Sequence, residues 1–219
     1  MPEFNVDRAR FNMVEQQIRP WEVLDSHVLD AFGTVPREKF VPLAYRNLAF
    51  ADFEVPMGHG QKMLSPTLQA KMLQALAVRP GDMVLEVGTG TGFFTALLAR
   101  FAKHVYSVEI QPELLETARQ NLSKMKISNV TLEQGNAAKG WRHHGPYDAI
   151  VITGSIPEIS PEFLSSLRSA GRLLAVVGKP PVMHARLVTR LGEHYPKEDL
   201  FETVIPPLQD ASLKPVFLF

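Results

Sequence analysis

Three glycines at alternate positions separate an apolar run from a helix-like stretch near the middle of the chain. The apolar run Met83–Val87 is typical of a buried strand, and it leads into Gly88, Gly90 and Gly92. Glycine allows a tight turn and lets the backbone approach a ligand without a Cβ atom in the way. Seventeen residues after the last glycine, Glu109 ends the next apolar segment. A carboxylate there can accept hydrogen bonds from both hydroxyls of a ribose, so the pattern indicates a ligand that contains a nucleoside.

The glycine spacing and a second acid distinguish between two classes of nucleoside cofactor. A dinucleotide-binding loop has the spacing G-x-G-x-x-G, because the pyrophosphate rests on the N-terminus of the helix. Here position 93 is Phe, and Glu86 stands two residues before the first glycine. A carboxylate in that pocket would repel a pyrophosphate but tolerate a sulfonium and an amino group. The pattern favours S-adenosyl-L-methionine over NAD. The alternative, a turn without a ligand, leaves an acid at the end of an apolar strand unexplained.

Composition limits the class of protein and its partners. The 219 residues are enough for one domain with a terminal extension, and 45% hydrophobic with 21% charged residues is ordinary for a soluble globular protein. The 23 basic and 23 acidic residues balance, whereas a nucleic-acid-binding protein usually carries a basic excess. We therefore expect a small molecule or a peptide as the partner, and no nucleic acid.

Several further classes of site and location are disfavoured. The chain has no cysteine, which excludes disulfides and thiolate chemistry. His143 and His144 are adjacent on a predicted turn, where two histidines seldom bind one metal ion, and no carboxylate residue accompanies them in the sequence. We therefore expect no metal site. Residues 1–18 lack the apolar core of a signal peptide, and no run approaches a membrane span. These observations predict a cytoplasmic protein without a membrane partner.

Strands and helices alternate over much of the chain and predict an α/β fold. Strands are predicted at residues 83–87, 104–109, 130–134, 148–153 and 172–177, with helices at 93–101, 112–125 and 160–169. This order implies a mostly parallel sheet with helices on both faces. Ligands bind such sheets at the carboxyl ends of the strands, where Gly88, Glu109, Asn136 and Thr153 fall. Residues 183–191, 200–205 and 215–219 are predicted to add antiparallel strands.

The first part of the chain is predicted to be helical and to cover the sheet. Helices are expected at residues 7–18 and 25–32, followed by a proline-rich turn at 35–42 and an extended stretch at 53–61. We expect residues 1–64 to form a helical cap and substrate-side segment, and residues 65–219 to form the cofactor-binding domain of one compact unit. Ser65 and Pro66 open a further helix, because a hydroxyl at the N-cap and proline at N1 are favoured there.

Several blocks of sequence resemble one enzyme family. The segments MVEQQI (13–18), VPREKFVP (35–42) and PMGHGQ (56–61) resemble the N-terminal blocks of the protein-L-isoaspartate O-methyltransferases. The segments LEVGTGTG (85–92), PYDAI (146–150) and AGRL (170–173) resemble the cofactor loop and later strands of that family. The resemblance covers nearly the whole chain and implies a Rossmann-like class I methyltransferase fold.

The resemblance also implies a reaction. A methyl group passes from S-adenosyl-L-methionine to the free carboxylate of an isoaspartyl residue in a damaged protein, and S-adenosyl-L-homocysteine is the product. The ester then closes to a succinimide, which opens partly to normal aspartate. Because the carboxylate is already an anion and the methyl group is activated by sulfonium, no general base or covalent nucleophile is required. Rate then depends on in-line positioning and exclusion of water.

The family's cofactor residues can be assigned by position. The resemblance implies that Gly88, Gly90 and Gly92 hold the amino-acid end of the cofactor, with Glu86 near it. It also implies that Glu109 binds the ribose hydroxyls. The block Gly135-Asn136-Ala137 stands where the family has Gly-Asp-Gly, whose acid accepts from the adenine amino group. Asn136 can accept through its side-chain oxygen, and we expect weaker binding there.

The substrate-side loop departs from the family pattern G-x-Q-T-I-S-x-P. Leu64 stands where the family has a Ser close to the acceptor carboxylate, and Ser65 comes one residue later. Either Ser65 supplies the hydroxyl as a catalytic residue, or it only caps the following helix. Lys62 replaces the family Thr and either attracts an anionic acceptor or is inert in solvent. The remaining candidates on this loop are His59 and Gln61.

Three alternatives to isoaspartyl methylation remain, and the first two follow from these departures. The protein could methylate another acceptor with the same cofactor, which the Leu64 and Lys62 replacements would explain. It could bind the cofactor without catalysis, which the same replacements and Asn136 would explain. An NAD oxidoreductase fits poorly, because Glu86 and Phe93 do not suit a pyrophosphate. The oligomeric state does not follow from the sequence.

Overall fold

A central sheet of seven strands organises the computed structural model of the chain, which describes residues 5–211. The strands are β3 (Met83–Val87), β4 (His104–Glu109), β5 (Val130–Gln134), β6 (Tyr147–Ile156), β7 (Leu167–Lys179), β8 (Val182–Thr189) and β9 (Lys197–Glu202). Two shorter strands, β1 (Val55–Gly58) and β2 (Gln61–Met63), form a separate antiparallel hairpin before the sheet. The order across the sheet is β5-β4-β3-β6-β7-β8-β9.

The direction of the strands confirms the predicted sheet. Strand β3 pairs in parallel with both β4 and β6, and β6 pairs in parallel with β7, whereas β8 and β9 are antiparallel. The chain runs outward from β3 to β5 and then returns to the other side of β3 as β6. A crevice for ligands forms at such a reversal of strand order, at the carboxyl ends of the strands. The strand predicted at residues 215–219 lies outside the described residues.

Six α-helices accompany the strands within residues 5–211. They are α1 (Val6–Asn12), α2 (Ser26–Thr34), α3 (Pro66–Leu76), α4 (Phe93–Ala99), α5 (Pro112–Lys124) and α6 (Pro161–Ser165). The predicted helix at 7–18 is present as α1, continued by a π-helical segment, Met13–Ile18. Short 3-10 turns follow at Arg19–Trp21, Arg37–Lys39 and Leu43–Leu48. The predicted N-cap of α3 is confirmed, since Ser65 Oγ accepts from the Leu68 N–H at 3.4 Å.

Several predicted elements have different bounds in the structure, among them α6, β7 and β9; β7 begins at Leu167 rather than at residue 172. Helix α6 ends at Ser165 rather than at residue 169, because Leu167 already pairs with Tyr147 as the start of β7. Ala170 has a φ of 61°, which an α-helix cannot contain. Strand β9 occupies Lys197–Glu202 rather than residues 200–205, since its register is set by antiparallel pairing with β8.

Apolar side chains cover both faces of the sheet. Alternate residues of β3 point to opposite faces, so Val84 joins one core cluster while Leu85 and Val87 join the other. The first cluster includes α2, α3, α4 and the N-terminal residues Met13 and Phe32. The N-terminal helices therefore share a core with the sheet, above the face to which α4 is packed.

Candidate active site

The glycine loop after β3 adopts backbone conformations that other residues rarely adopt. Gly88, Gly90 and Gly92 have φ values of 96°, 57° and 89°. A Cβ atom on Gly88 would overlap the Thr153 hydroxyl, and one on Gly90 would lie 3.0 Å from the Met57 Cε. The loop is therefore held between the end of β6 and the β1–β2 hairpin, and glycine is required for this close approach.

Glu109 supports the glycine loop and faces the same cleft. Its Oε2 accepts from the Gly90 N–H at 2.8 Å, and its Oε1 accepts from the N–H groups of Ile110 and Gln111 at 3.0 Å. The side chain is almost completely buried yet lines the cleft. At the end of β4 beside the glycine loop, it is a carboxylate that a ligand in the cleft can reach.

Glu86 lies behind the glycine loop rather than in the cleft, in contrast to the expectation that its carboxylate faces the ligand. It points to the face covered by α4, where its Oε2 accepts from Thr95 Oγ1 at 2.5 Å and from Ser107 Oγ at 2.6 Å. Burial raises the pKa of Glu86 to about 8, although the two hydroxyl hydrogen bonds partly lower it and the nearby Glu109 raises it further. Its influence on a ligand therefore passes through the loop that it supports.

The loop after β5 brings Asn136 to the cleft. Its Oδ1 accepts from the Ala138 N–H at 3.0 Å, and its Nδ2 donates to Asp210 Oδ2 at 3.1 Å. The ring of Trp141 packs against Gly135, where a Cβ atom would collide with it, and its Nε1 donates to Glu133 at 2.7 Å. Asn136 thus has a fixed orientation, and a carbonyl-type oxygen at the edge of the cleft can accept from an adenine amino group.

One cleft combines the residues predicted at the strand ends. It lies at the carboxyl ends of β3, β4, β5 and β6, and it encloses about 640 Å³ of empty space, its open mouth included. Gly88, Glu109, Asn136 and Thr153 all line it. Thr153 Oγ1 donates to the carbonyl oxygens of Val87 and Gly88, at 3.0 and 2.7 Å, and so joins β6 to the glycine loop.

The β1–β2 hairpin and the residues after it close the other side of the cleft. Gln61, Lys62 and Leu64 line the cleft, whereas Ser65 and His59 do not. The Ser65 hydroxyl is engaged as the cap of α3, so the structure favours the capping role over the catalytic role. His59 lies on the turn of the hairpin with a φ of 53°, and its Nε2 is 4.0 Å from a carboxylate oxygen of Glu113.

A buried arginine that the sequence did not single out fixes the substrate-side loop. Arg37 is fully buried, and its guanidinium donates to the carbonyl oxygens of Ala49 and Leu64, at 3.0 and 2.8 Å, and to the side chain of Gln69. It also lies 4.8 Å above the ring centroid of Phe93, at the start of α4. Burial lowers the pKa of Arg37. In the sequence, Arg37 belongs to the VPREKFVP block (35–42) that resembles the family, and this block is the signal that marks it.

A segment after β9 also contributes to the cleft and was missing from the predicted site. Pro206, Leu208 and Gln209 line the cleft, and the Leu208 side chain lies close to Gly88. Backbone bonds join the segment to Ser155, which donates to Pro206 at 2.9 Å and accepts from Leu208 at 2.8 Å. The Gln111 side chain donates to Gln209 at 2.6 Å. No polar motif marks this segment in the sequence, so only the fold reveals its position.

The cleft fits S-adenosyl-L-methionine. The glycine loop leaves space where Cβ atoms are absent, and the cleft also presents the carboxylate of Glu109 and the side-chain oxygen of Asn136. Apolar side chains of Val108, Leu114 and Leu208 supply the walls between these groups. A small number of polar groups in a mostly apolar concave site is typical of cofactor binding.

Comparison with known sequences shows the family of the chain. Residues 8–209 match the family of protein-L-isoaspartate(D-aspartate) O-methyltransferases (PCMT). A protein-L-isoaspartate O-methyltransferase from Protochlamydia amoebophila is 38% identical over 200 residues, which cover 90% of this chain and 94% of the relative. One from Pelobacter propionicus is 38% identical over 209 residues, which cover 94% and 93% of the two chains.

Solved structures show the same fold. A Plasmodium falciparum protein, assigned as a protein-L-isoaspartate O-methyltransferase and solved with S-adenosyl-L-homocysteine, matches with a TM-score of 0.79 at 20% identity. The match covers 94% of this chain and 99% of that one. The Rossmann-like class I fold is therefore confirmed. From the sequence matches, the chain belongs to the protein-L-isoaspartate(D-aspartate) O-methyltransferase family, a family of S-adenosyl-L-methionine-dependent enzymes.

Proposed function

We propose that this protein methylates the free carboxylate of L-isoaspartyl residues in damaged proteins, with S-adenosyl-L-methionine as the methyl donor. The observation that carries the proposal is a single cleft with two unlike sides. One side has the features of a nucleoside site, the glycine loop, Glu109 and Asn136, and the other is formed by the β1–β2 hairpin and Leu64. A donor and an acceptor can therefore meet in one place, in a chain that belongs to this family.

The residues of the chain act by binding and by excluding water. Glu109 holds the ribose, Asn136 accepts from adenine, and the glycine loop accommodates the amino-acid end. When bound, S-adenosyl-L-methionine supplies a methyl group that is already activated by sulfonium. The acceptor carboxylate is already an anion, so no side chain has to remove a proton. Leu64, Met57 and Leu208 keep the reacting groups in an apolar surrounding, which favours the charge-neutralising transfer.

A paired peptide assay tests the proposal. The protein is incubated with methyl-labelled S-adenosyl-L-methionine and an isoaspartyl peptide, beside a peptide of identical sequence with normal aspartate. The expected result is base-labile label on the isoaspartyl peptide alone, because methyl esters of carboxylates hydrolyse in base. If neither peptide is labelled while S-adenosyl-L-homocysteine binds tightly, the proposed acceptor is wrong.

The proposal extends to location, partners and organisation. Among residues 5–211, no helix combines the length and apolar character needed to cross a bilayer. We place the protein in the cytoplasm, with isoaspartyl proteins as its partners. We expect no nucleic acid among the partners, because the numbers of basic and acidic residues are equal. We further propose that residues 1–64 form the substrate-side segment, supported by the hairpin wall, and residues 65–219 the cofactor domain. Cell fractionation tests the location.

A further inference from the structure

Lys62 lies where two cavities meet. Besides the cofactor cleft, a smaller cavity is lined by the glycine loop and the starts of α3 and α4. Lys62, Leu64 and Met57 line both cavities. Within the described part of the chain, Lys62 is the only cationic residue that lines either of them. A single positive charge thus stands on the acceptor side among uncharged side chains, the apolar Leu64 and Met57 and the polar Gln61 and Gln69.

The present partner of Lys62 is easily replaced. Its Nζ lies 3.1 Å from Oε2 of Glu54, and the two side chains are 47% and 27% exposed. An exposed ion pair of this kind contributes little stability, because water screens it and two side chains must be ordered. Another carboxylate can therefore exchange with Glu54 at small cost.

An acceptor carboxylate needs such a charge. On this side of the cleft it leaves water and meets Leu64 and Met57, and an anion in apolar surroundings is unfavourable unless it is paired. The Ser65 hydroxyl accepts from the Leu68 N–H as the cap of α3, and Ser65 lines neither cavity. Lys62 can supply both the opposite charge and the hydrogen bond.

We propose that Lys62 is the residue that recognises the acceptor: its ammonium group exchanges Glu54 for the carboxylate to be methylated. The inference rests on the proposed function, since that function supplies the carboxylate. An ammonium group pairs with one carboxylate oxygen and leaves the other free to attack. Lys62 therefore determines specificity for an anionic acceptor over its neutral amide, and has no part in binding the cofactor.

The test compares charge variants in the full-length protein. Lys62→Met should raise KM for the isoaspartyl peptide about tenfold, the loss expected for one charge-assisted hydrogen bond. The Kd of S-adenosyl-L-homocysteine should stay unchanged. Glu54→Gln, which frees Lys62, should lower KM about twofold. Lys103→Met removes the same charge immediately before β4, at the end of the sheet opposite the cleft, and should behave as wild type.

A binding experiment separates recognition from a structural effect. In complex with S-adenosyl-L-homocysteine, the wild-type protein should bind the isoaspartyl peptide more tightly than the isoasparaginyl peptide, its neutral counterpart. Lys62→Met should remove this difference. An active wild type whose KM does not change in Lys62→Met would overturn the role of Lys62 and leave the proposed function intact, and a rise in KM for Glu54→Gln would contradict the exchange of partners. A wild type that methylates no isoaspartyl peptide overturns both proposals.

Discussion

Replacing Glu86 by glutamine should change the way in which the stability of the protein depends on pH. The carboxyl group is fully buried behind the glycine loop, where it accepts two hydrogen bonds, from Thr95 and Ser107. Burial raises its pKa to about 8, against an ordinary value of 4.5. At neutral pH the folded protein therefore holds a proton on Glu86 that the unfolded chain has lost.

The sign and size of the effect follow from this difference. Between the two pKa values the native state binds one proton more than the unfolded state, so the free energy of unfolding falls as the pH rises. The contribution of Glu86 is complete below about pH 4.5, decreases by about 1.4 kcal/mol per pH unit, and is lost above about pH 8. From about pH 5.5 to 7.5 the loss amounts to about 3 kcal/mol.

Urea unfolding of the wild type and Glu86→Gln at a series of pH values measures this contribution. All other groups are common to both proteins, so the difference between their unfolding free energies isolates Glu86. The glutamine amide places N–H groups where Oε1 now has no partner among the described residues, and because glutamine does not titrate, its own effect on stability does not vary with pH. The diagnostic quantity is therefore the slope, against pH, of the difference between the two unfolding free energies. If the two curves run parallel, the raised pKa is refuted.

Three further substitutions test other contacts. Gly88→Ala should abolish S-adenosyl-L-homocysteine binding in calorimetry, because its Cβ would collide with Thr153, whereas Gly81→Ala, whose surroundings are open, should bind normally. Glu109→Ala should weaken that binding about 100-fold through the lost ribose acceptor, and an unchanged Kd would place the ribose elsewhere. Arg37→Met should lower the free energy of unfolding in urea by about 3 kcal/mol or more, since three acceptors lose a buried charged donor. A stability equal to that of the wild type would contradict this role.

The sheet could be predicted because its strands are short apolar runs that alternate with helices. The strand ends were also predictable, since the carboxyl ends of parallel strands share one edge, and Gly88, Glu109, Asn136 and Thr153 meet there. The length of α6, in contrast, could not be predicted from the sequence. Residues 166–169 suit a helix by composition, but Leu167 pairs with Tyr147 across the sheet. Pairing with a distant strand outweighed the local preference.

Glu86 shows why a motif can be right while the orientation of one member is not. The position of Glu86, two residues before the first glycine, predicts a carboxylate that faces the ligand. In a strand, however, side chains alternate, and Glu86 shares the face of Val84, which α4 covers. The acid is therefore enclosed by hydroxyl donors from α4 and β4 instead of by the cofactor. Its effect on the cleft is exerted through the loop in front of it.

The acceptor side depends on contacts between segments that are far apart in the sequence. In an extended loop, a shift by one residue exchanges the side chain that faces the ligand, so the spacing alone allowed either Leu64 or Ser65 to do so. Arg37, 27 residues earlier, supports the observed arrangement, because its buried guanidinium donates to the carbonyl oxygen of Leu64. With that carbonyl fixed, the Leu64 side chain lines the cleft and Ser65 caps α3. The backbone of the acceptor side is thus held by a residue that lines neither cavity.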